Sequence, residues 1–443
     1  MDVAQSRSDL PAPRVPLSPA TRRRQIGVVA MLLTAAVINY MDRASLAVAN
    51  PLIRHDLGLS VAEMGVLLSV FSFAYAAGQL PAGILVDRIG PRILLGSGVL
   101  LWSVAQALAG LSTNLTTFIW ARIGLGIFES PNGPGGAKAL SEWFHRRRRG
   151  VPIALVFSSG NIGSLIAPPF LTWLMLTWGW RTMFMVMGAI GAAYALVWVT
   201  VYRSPAATSV PAQDVAAIVS GNLGPPDRVR PGDWIRLFRL RNTWGLIGGF
   251  FGQNFLGWLY LTWLPGYLEI AHHMSVPRAG IFAAVPPFFG YLGGLFGGSL
   301  CDVLAARGVD IVASRRWPAI LGVVGLAVFT LPVAFTDNTS VALALISAAV
   351  FCGQISGTTA WVLVTAVAPQ RAIASLGSIQ NCAGYIGAAL APAVTGFILQ
   401  ATGSFAPALL LGAVIALSSA ASYLFVVRTP REPVAADQIG ATP

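Results

Sequence analysis

The sequence predicts an all-α membrane protein: twelve transmembrane helices in two pseudo-symmetric six-helix bundles. Three observations predict it. The 443 residues are 55% hydrophobic and only 10% charged, against about 25% charged in an ordinary soluble domain. The charges gather in short segments between apolar runs of roughly 20 residues, and each run spans ~30 Å of hydrocarbon at ~1.5 Å per residue. A single long polar stretch then splits the runs six and six, and short motifs of the first six recur in the second.

The spans follow in order. Residues 1–26 form a tail, and spans at 27–50 and 61–86 come next. Gly90–Pro91 turns the chain into spans at 93–112 and 115–138. The run Arg146–Arg147–Arg148–Arg149 precedes the span at 150–175. Trp178–Gly179–Trp180 then separates it from the one at 181–202. Residues 203–242 carry Pro205, Pro211, Pro225, Pro226 and Pro231 and read as a linker between bundles 27–202 and 243–427. The second bundle has spans at 243–269, 277–301, 317–335, 341–368, 372–400 and 405–427, with Asp337–Asn338 as one turn and 428–443 as a tail.

Gly160–Asn161–Ile162–Gly163, then Ala167–Pro168, recurs as Gly384–Tyr385–Ile386–Gly387, then Ala391–Pro392, at an offset of 224. Gly83-x-Leu85-x-Asp87 recurs as Gly298-x-Leu300-x-Asp302 at an offset of 215. Internal repeats of this kind mark transporter folds, with the substrate site between the halves near the midplane.

Basic residues orient the chain. With the N-terminus in the cytoplasm, 23 of 29 Lys and Arg lie on the inner side, and Arg54, Arg181 and Arg278 lie outside. Both termini are therefore expected inside. The net charge of +12 follows from this topology and does not suggest nucleic acid. The arginine run is expected at anionic head groups. The first apolar run is too long for a signal peptide, lacks a small-residue cleavage site and contains Asp42–Arg43. Cys301, Cys352 and Cys382 show no pairing pattern and read as small buried apolar residues. His272–His273 lacks partner ligands, so no metal is expected, and no cofactor beyond protons as coupling ion.

Of 17 acids, only Asp42 and Glu129 fall deep in a span. Arg43 and Arg122 accompany them. Each such charge costs roughly 2.5–3.5 kcal/mol near the bilayer centre, so four imply a use. By helix rise Asp42 and Arg43 lie about 5 and 7 Å beyond the middle of span 1, Arg122 about 7 Å outside the middle of span 4 and Glu129 about 4 Å inside it. Arg122 and Glu129, two turns apart, share a face. With both acids ionised the four charges cancel; protonating both leaves two arginines that attract an anion. Arg suits a carboxylate because its planar fork bonds both oxygens, and proton and anion binding then reinforce each other. The plainer alternative is an inert salt bridge between spans 1 and 4. Tyr40, Tyr75, Asn161, Thr358, Trp361 and Asn381 are further polar or aromatic residues within spans that suit a hydroxylated ligand. In the loop run from Gly83 to Arg92, Asp87 is expected to accept bonds from a helix N-terminus of the other half. Asp87, Arg88, Arg92 and Asp302 are the expected gating residues.

These residues resemble the major facilitator superfamily from about Arg22 to Arg428. More narrowly the chain is similar to the anion:cation symporter family, in particular bacterial galactonate, hexuronate and glucarate transporters. The resemblance is carried by Asn39–Tyr40–Met41–Asp42–Arg43, Arg122-x-x-x-Gly126-x-x-Glu129-x-Pro131, Trp143–Phe144, and Leu261–Thr262–Trp263–Leu264–Pro265-x-Tyr267–Leu268. It implies the major facilitator fold, a bacterial inner-membrane location and proton-coupled uptake of a sugar acid. It also implies proton-taking roles for Asp42 and Glu129, a coupling role for Arg43, and a pocket lined by Tyr40, Tyr75, Trp361 and Asn381. Departures are His145 and Arg148 where the family often has Pro and an acid, Gly160 where the galactonate transporter has glutamine, and Ala360 where it has threonine.

The expectation is a monomeric proton/organic anion symporter working by alternating access. Rivals are an aromatic carboxylate carrier of the same family, an exchanger, and a membrane sensor. An enzyme is not expected, because no nucleophile, base or metal cluster is visible. A linker of about 40 residues leaves a sensor no output domain.

Overall fold

A computed structural model describes residues 17–145, 150–219, 236–368 and 373–428. The four-arginine run lies outside them. In chain order the helices of the first half are α1 (Pro19–Leu57), α2 (Val61–Ile89), α3 (Pro91–Gly110), α4 (Leu115–Glu129), α5 (Asn132–Trp143) and α6 (Gly150–Val201). Helix α7 (Ala212–Val219) lies in the linker. The second half holds α8 (Arg241–Ile270), α9 (Val276–Phe282), α10 (Val285–Ala306), α11 (Ala313–Val333), α12 (Thr339–Val367), α13 (Ile373–Thr402) and α14 (Ala406–Ala421), closed by a π turn at Ser422–Val426. No strand occurs among the described residues.

These elements make twelve crossings. Helices α4 and α5 form one span broken at Ser130–Pro131, and α9 and α10 form another broken at Ala283–Ala284. Helix α6 holds two spans that reverse at Gly179, whose φ of 81° favours a residue without Cβ. Gly90, at φ 83°, turns α2 into α3 in the same way. Polar side chains close orphan backbone groups at several starts. Ser60 and Glu63 make a capping box for α2, and Asn114 and Asn338 cap α4 and α12.

The spans outlast their apolar runs. Helix α1 begins eight residues before the hydropathy onset and runs on through His55, which the sequence places in a loop. The linker is not featureless: α7 packs on α5, and its Asp214 accepts hydrogen bonds from Ser18 Oγ at 2.7 Å and Thr21 Oγ1 at 2.6 Å.

In the first bundle α1 and α3 pack on α6, and α2 on α4; in the second α12 packs on α10 and α11, and α8 on α13 and α14. The bundles meet tightly at the end remote from Ser18 and Val427. Gly65 of α2 lies against Pro392 and Gly396 of α13, and Thr172 of α6 lies against Gly280 of α9. Ser69 Oγ accepts from the Ala393 N–H at 2.9 Å, and Gln400 Oε1 from the Ala62 N–H at 2.9 Å. Small residues let backbones approach closely where no water competes.

Candidate functional site

Helices α1 and α4 carry the four intramembrane charges into one place. Asp42 and Glu129 are fully buried, and Arg43 and Arg122 nearly so. The Arg43 Nε–H donates to Glu129 Oε2 at 2.9 Å. Helix rise separates this pair by about 11 Å in depth. The structure joins them because span 4 continues through α5 to Trp143, which moves Glu129 to its middle, and the long arginine side chain covers the rest. Asp42 and Arg122 lie close enough to bear electrostatically on each other and on Glu129.

Aromatic rings wall the Arg43 guanidinium. Its Cζ lies 4.6 Å from the Tyr75 ring centre, 5.0 Å from Phe71 and 5.2 Å from Tyr40. Arg122 Cζ lies 5.2 Å from the centre of the same Phe71 ring. Rings at these distances stabilise a cation shielded from water. Glycines set the spacing. A Cβ on Gly126 of α4 would stand 2.6 Å from the Phe71 carbonyl oxygen, and one on Gly160 of α6 would overlap the Tyr40 ring. Gly160 therefore leaves the room that Tyr40 fills.

The second bundle reaches the same group. Arg43 Nη1 donates to Tyr385 Oη at 3.3 Å, and the Tyr75 and Tyr385 rings lie 4.6 Å apart. Asn381 Nδ2 donates to Gln79 Oε1 at 3.4 Å. Trp361, 44% exposed, stands edge-on to Phe250 of α8. Arg43, Tyr75 and Gln79 of the first bundle thus meet Tyr385 and Asn381 of the second, with Tyr40 against Arg43, whereas the contact of Trp361 stays within the second bundle.

Other expected site residues sit elsewhere. Thr358 lies against Gly294 and Gly298 of α10. Arg122 is buried at 2% exposure, its guanidinium beside Phe71. The side chains of Asn161 and Asp87 lie outside the described residues. Arg88 and Asp302 are exposed, and Arg92 donates through Nε and Nη2 to the Val199 carbonyl of its own bundle. Cys301 is buried, but Cys382 is exposed, against the expectation of burial. His272 Nε2 pairs with Tyr267 Oη at 2.9 Å, and no metal-holding cluster occurs among the described residues.

Tyr385 and Phe71 are the site residues that sequence reasoning missed. A signal existed for Tyr385. It stands at the repeat position of Asn161, between the two glycines of the recurring motif.

A cavity of about 620 Å³ opens elsewhere, between the start of α1, the start of α6 and α7, lined by Ile26, Val29, Leu33, Phe144, Leu155 and Ile218 among others. Its lining is mainly apolar. The charged cluster, with its carboxylates, guanidinium groups and phenols, is the better candidate for an anion.

Residues 32–392 match the family model described as Major Facilitator Superfamily. The chain is 42% identical over 429 residues to the probable L-galactonate transporter of Escherichia coli (strain K12), covering 96% of this chain and 95% of that one. It is 32% identical to the D-galactonate transporter of Escherichia coli O6:H1, over 92% and 96% of the two chains. It is 31% identical to the probable galactarate/D-glucarate transporter of Bacillus subtilis (strain 168), over 93% and 94%. Among solved structures it resembles a bacterial homologue of the human lysosomal transporter Spinster in an inward-facing, occupied conformation. The TM-score is 0.75 at 20% identity, over 93% of this chain and 98% of that one, a likeness of fold.

Proposed function

This chain belongs to the major facilitator superfamily, and from that premise we propose that it imports a sugar acid, a hexonate such as galactonate, together with protons. It is a multi-pass membrane transporter and not an enzyme. The relatives' named substrates, galactonate, galactarate and glucarate, support the substrate class. All are polyhydroxylated carboxylates, which need a cation for the carboxylate and phenol, amide and indole groups for the hydroxyls. We place the chain as a monomer in the inner membrane with both termini in the cytoplasm.

One observation carries the coupling: Arg43 is bonded at once to Glu129 of its own bundle and to Tyr385 of the other. While Glu129 is ionised it holds the guanidinium. A proton on Glu129 removes that charge partner, and the freed fork binds the substrate carboxylate. Because Tyr385 touches the same guanidinium, occupancy is felt across the bundle interface. The closed end at Gly65, Ser69, Thr172 and Gly280 fits alternating access about this centre. The inert-salt-bridge alternative lacks a reason for the contact with Tyr385.

The test is uptake of labelled L-galactonate, D-galactonate and D-glucarate into proteoliposomes with an alkaline interior. Accumulation of at least one above equilibrium, abolished by a protonophore, is the expected result. Uptake that only equilibrates, whatever the pH gradient, overturns proton coupling; no uptake of any sugar acid overturns the substrate class.

A further inference from the structure

Where Gln106 of α3 reaches Ser45 of α1 lies a second polar group that substrate binding does not use. Helix α1 presents Asn39, Asp42 and Ser45 at three-residue intervals, and α3 presents Trp102 and Gln106 one turn apart, so each set shares a face. All five are at most 1% exposed. Gln106 Nε2 donates to Ser45 Oγ at 2.8 Å, and Ser45 Oγ donates to the Asp42 carbonyl at 2.6 Å. The amide of Gln106 is thereby fixed, with Oε1 left over. Trp102 is the α3 side chain that bears on the Asp42 carboxyl, its N–H turned towards it as a donor but short of full hydrogen-bond geometry.

Eight buried polar atoms here lack a protein partner at full hydrogen-bond geometry, although Trp102 leans towards the Asp42 carboxyl and Asn39 towards that of Glu129. The donors are Asn39 Nδ2, Trp102 Nε1, Arg122 Nε and Arg122 Nη1; the acceptors are both Asp42 carboxyl oxygens, Gln106 Oε1 and Glu129 Oε1. Protein interiors pair nearly all such atoms. Donors and acceptors in equal number, on side chains no more than 2% exposed, suit internal water, which makes roughly two to four bonds at such sites.

We propose that Trp102 and Gln106 of α3 are positioning residues for Asp42, holding water between its carboxyl, Arg122 and Glu129, so that a proton passes between the acids inside the first bundle. The proposal rests on the proton-coupled reading above. In the step, neutral Asp42 gives its proton to a water oxygen while that water gives one of its own to Glu129 Oε1. Water is regenerated, Asp42 ends as a carboxylate facing Arg122, and Glu129 ends neutral. Arg43 then loses its ionic partner on the substrate side, although the proton never crossed the substrate's space. The charged groups acting on Asp42 are Glu129 and Arg122 of α4 and Arg43 of its own helix.

The test uses Trp102→Phe, which removes the N–H and keeps a ring, and Gln106→Leu, which keeps the length. The readout is the infrared band of the protonated Asp42 carboxyl, identified as the band that Asp42→Asn removes, titrated in the full-length protein. In both variants its midpoint should move by about one pH unit or more. L-galactonate counterflow at equal pH should stay within about twofold of wild type, while pH-driven accumulation falls about tenfold or more. Variants that keep the wild-type midpoint and wild-type accumulation overturn the proposal. Should either variant fail to fold, Ser45→Ala decides: it removes only the hydroxyl that orients Gln106, and an unmoved midpoint there is equally fatal. A wild-type protein that titrates Asp42 yet never accumulates substrate sinks proton coupling itself, while the midpoints still report whether α3 positions Asp42.

Discussion

Arg43 and Glu129, 86 residues apart in sequence and on different helices, are joined at 2.9 Å with both side chains almost wholly buried. A buried pair of this kind adds little net stability, because desolvation offsets the Coulomb gain, yet breaking it exposes a strong unmet charge. That asymmetry makes it a suitable switch, since neutralising the acid makes the guanidinium available.

Removing the acid without changing its shape should therefore separate coupling from transport. In Glu129→Gln, Arg43 stays free at every pH. Accumulation driven by a pH gradient should be lost, while exchange of labelled for unlabelled galactonate persists within about threefold of wild type. Asp42→Asn should give the same pattern. Parallel counterflow and gradient-driven assays check it; accumulation at wild-type level in both variants would falsify the coupling roles.

Loss of the cation should cost affinity. Arg43→Ala removes up to two charge-assisted bonds to the substrate carboxylate, each worth about 1.5–3 kcal/mol. The galactonate Kd should rise about 100-fold or more. Arg43→Lys should recover little, because a point ammonium cannot engage two oxygens as the fork does. Tyr385→Phe, losing the hydroxyl that accepts from Arg43, should cost about 1.5 kcal/mol, roughly tenfold. Calorimetric titration of the three variants measures this order, and an Arg43→Ala affinity equal to wild type contradicts it.

Closure of the remote end depends on absent side chains. A Cβ on Gly65 would stand 2.6 Å from the Pro392 carbonyl oxygen and 3.0 Å from Gly396 Cα, both backbone atoms that cannot step aside. Gly65→Val should hold that end apart. A cysteine placed at Ala62, which is buried here, should then be alkylated about tenfold faster, and accumulation should fall in proportion. Unchanged alkylation with normal transport would show that the contact is dispensable.

How far the sequence reveals this site depends on the kind of signal. Spans are legible because lipid demands continuous apolar runs, and Asp42, Arg43, Arg122 and Glu129 stand out because each charge there is costly. Tyr385 carries no such cost. Tyrosine is ordinary within an apolar helix, and only the packing of one bundle on the other puts its hydroxyl on Arg43. Thr358 faces α10 for a similar reason: the glycines at 294 and 298 open a groove that fills with the neighbouring side chain. Helix α7 escaped hydropathy reading because it is short, polar in part and enclosed by prolines; the polar contacts of its Asp214 lie nearly 200 residues away in sequence.

Those contacts give a prediction that lies outside the membrane. The Asp214 carboxylate accepts from Ser18 Oγ, Thr21 Oγ1 and the Ser18 N–H. The Ser18 hydroxyl first, then that of Thr21, hold its pKa below the ordinary carboxylate range. A depressed pKa means that the ionised form is the one the fold stabilises. The tether is therefore complete above the unfolded value of about 3.9 and is lost as pH falls through the lowered folded value. At pH 7 Asp214→Asn should release α7 from the start of α1, and limited proteolysis should cut the linker several-fold faster than in wild type. Thr21→Val should do so more weakly. Towards the acid limit wild type and Asp214→Asn should converge when pepsin replaces a neutral protease, because both then lack the anion. A variant that resists cleavage like wild type at pH 7 would mean that α7 is held by its apolar face, with Asp214 contributing nothing.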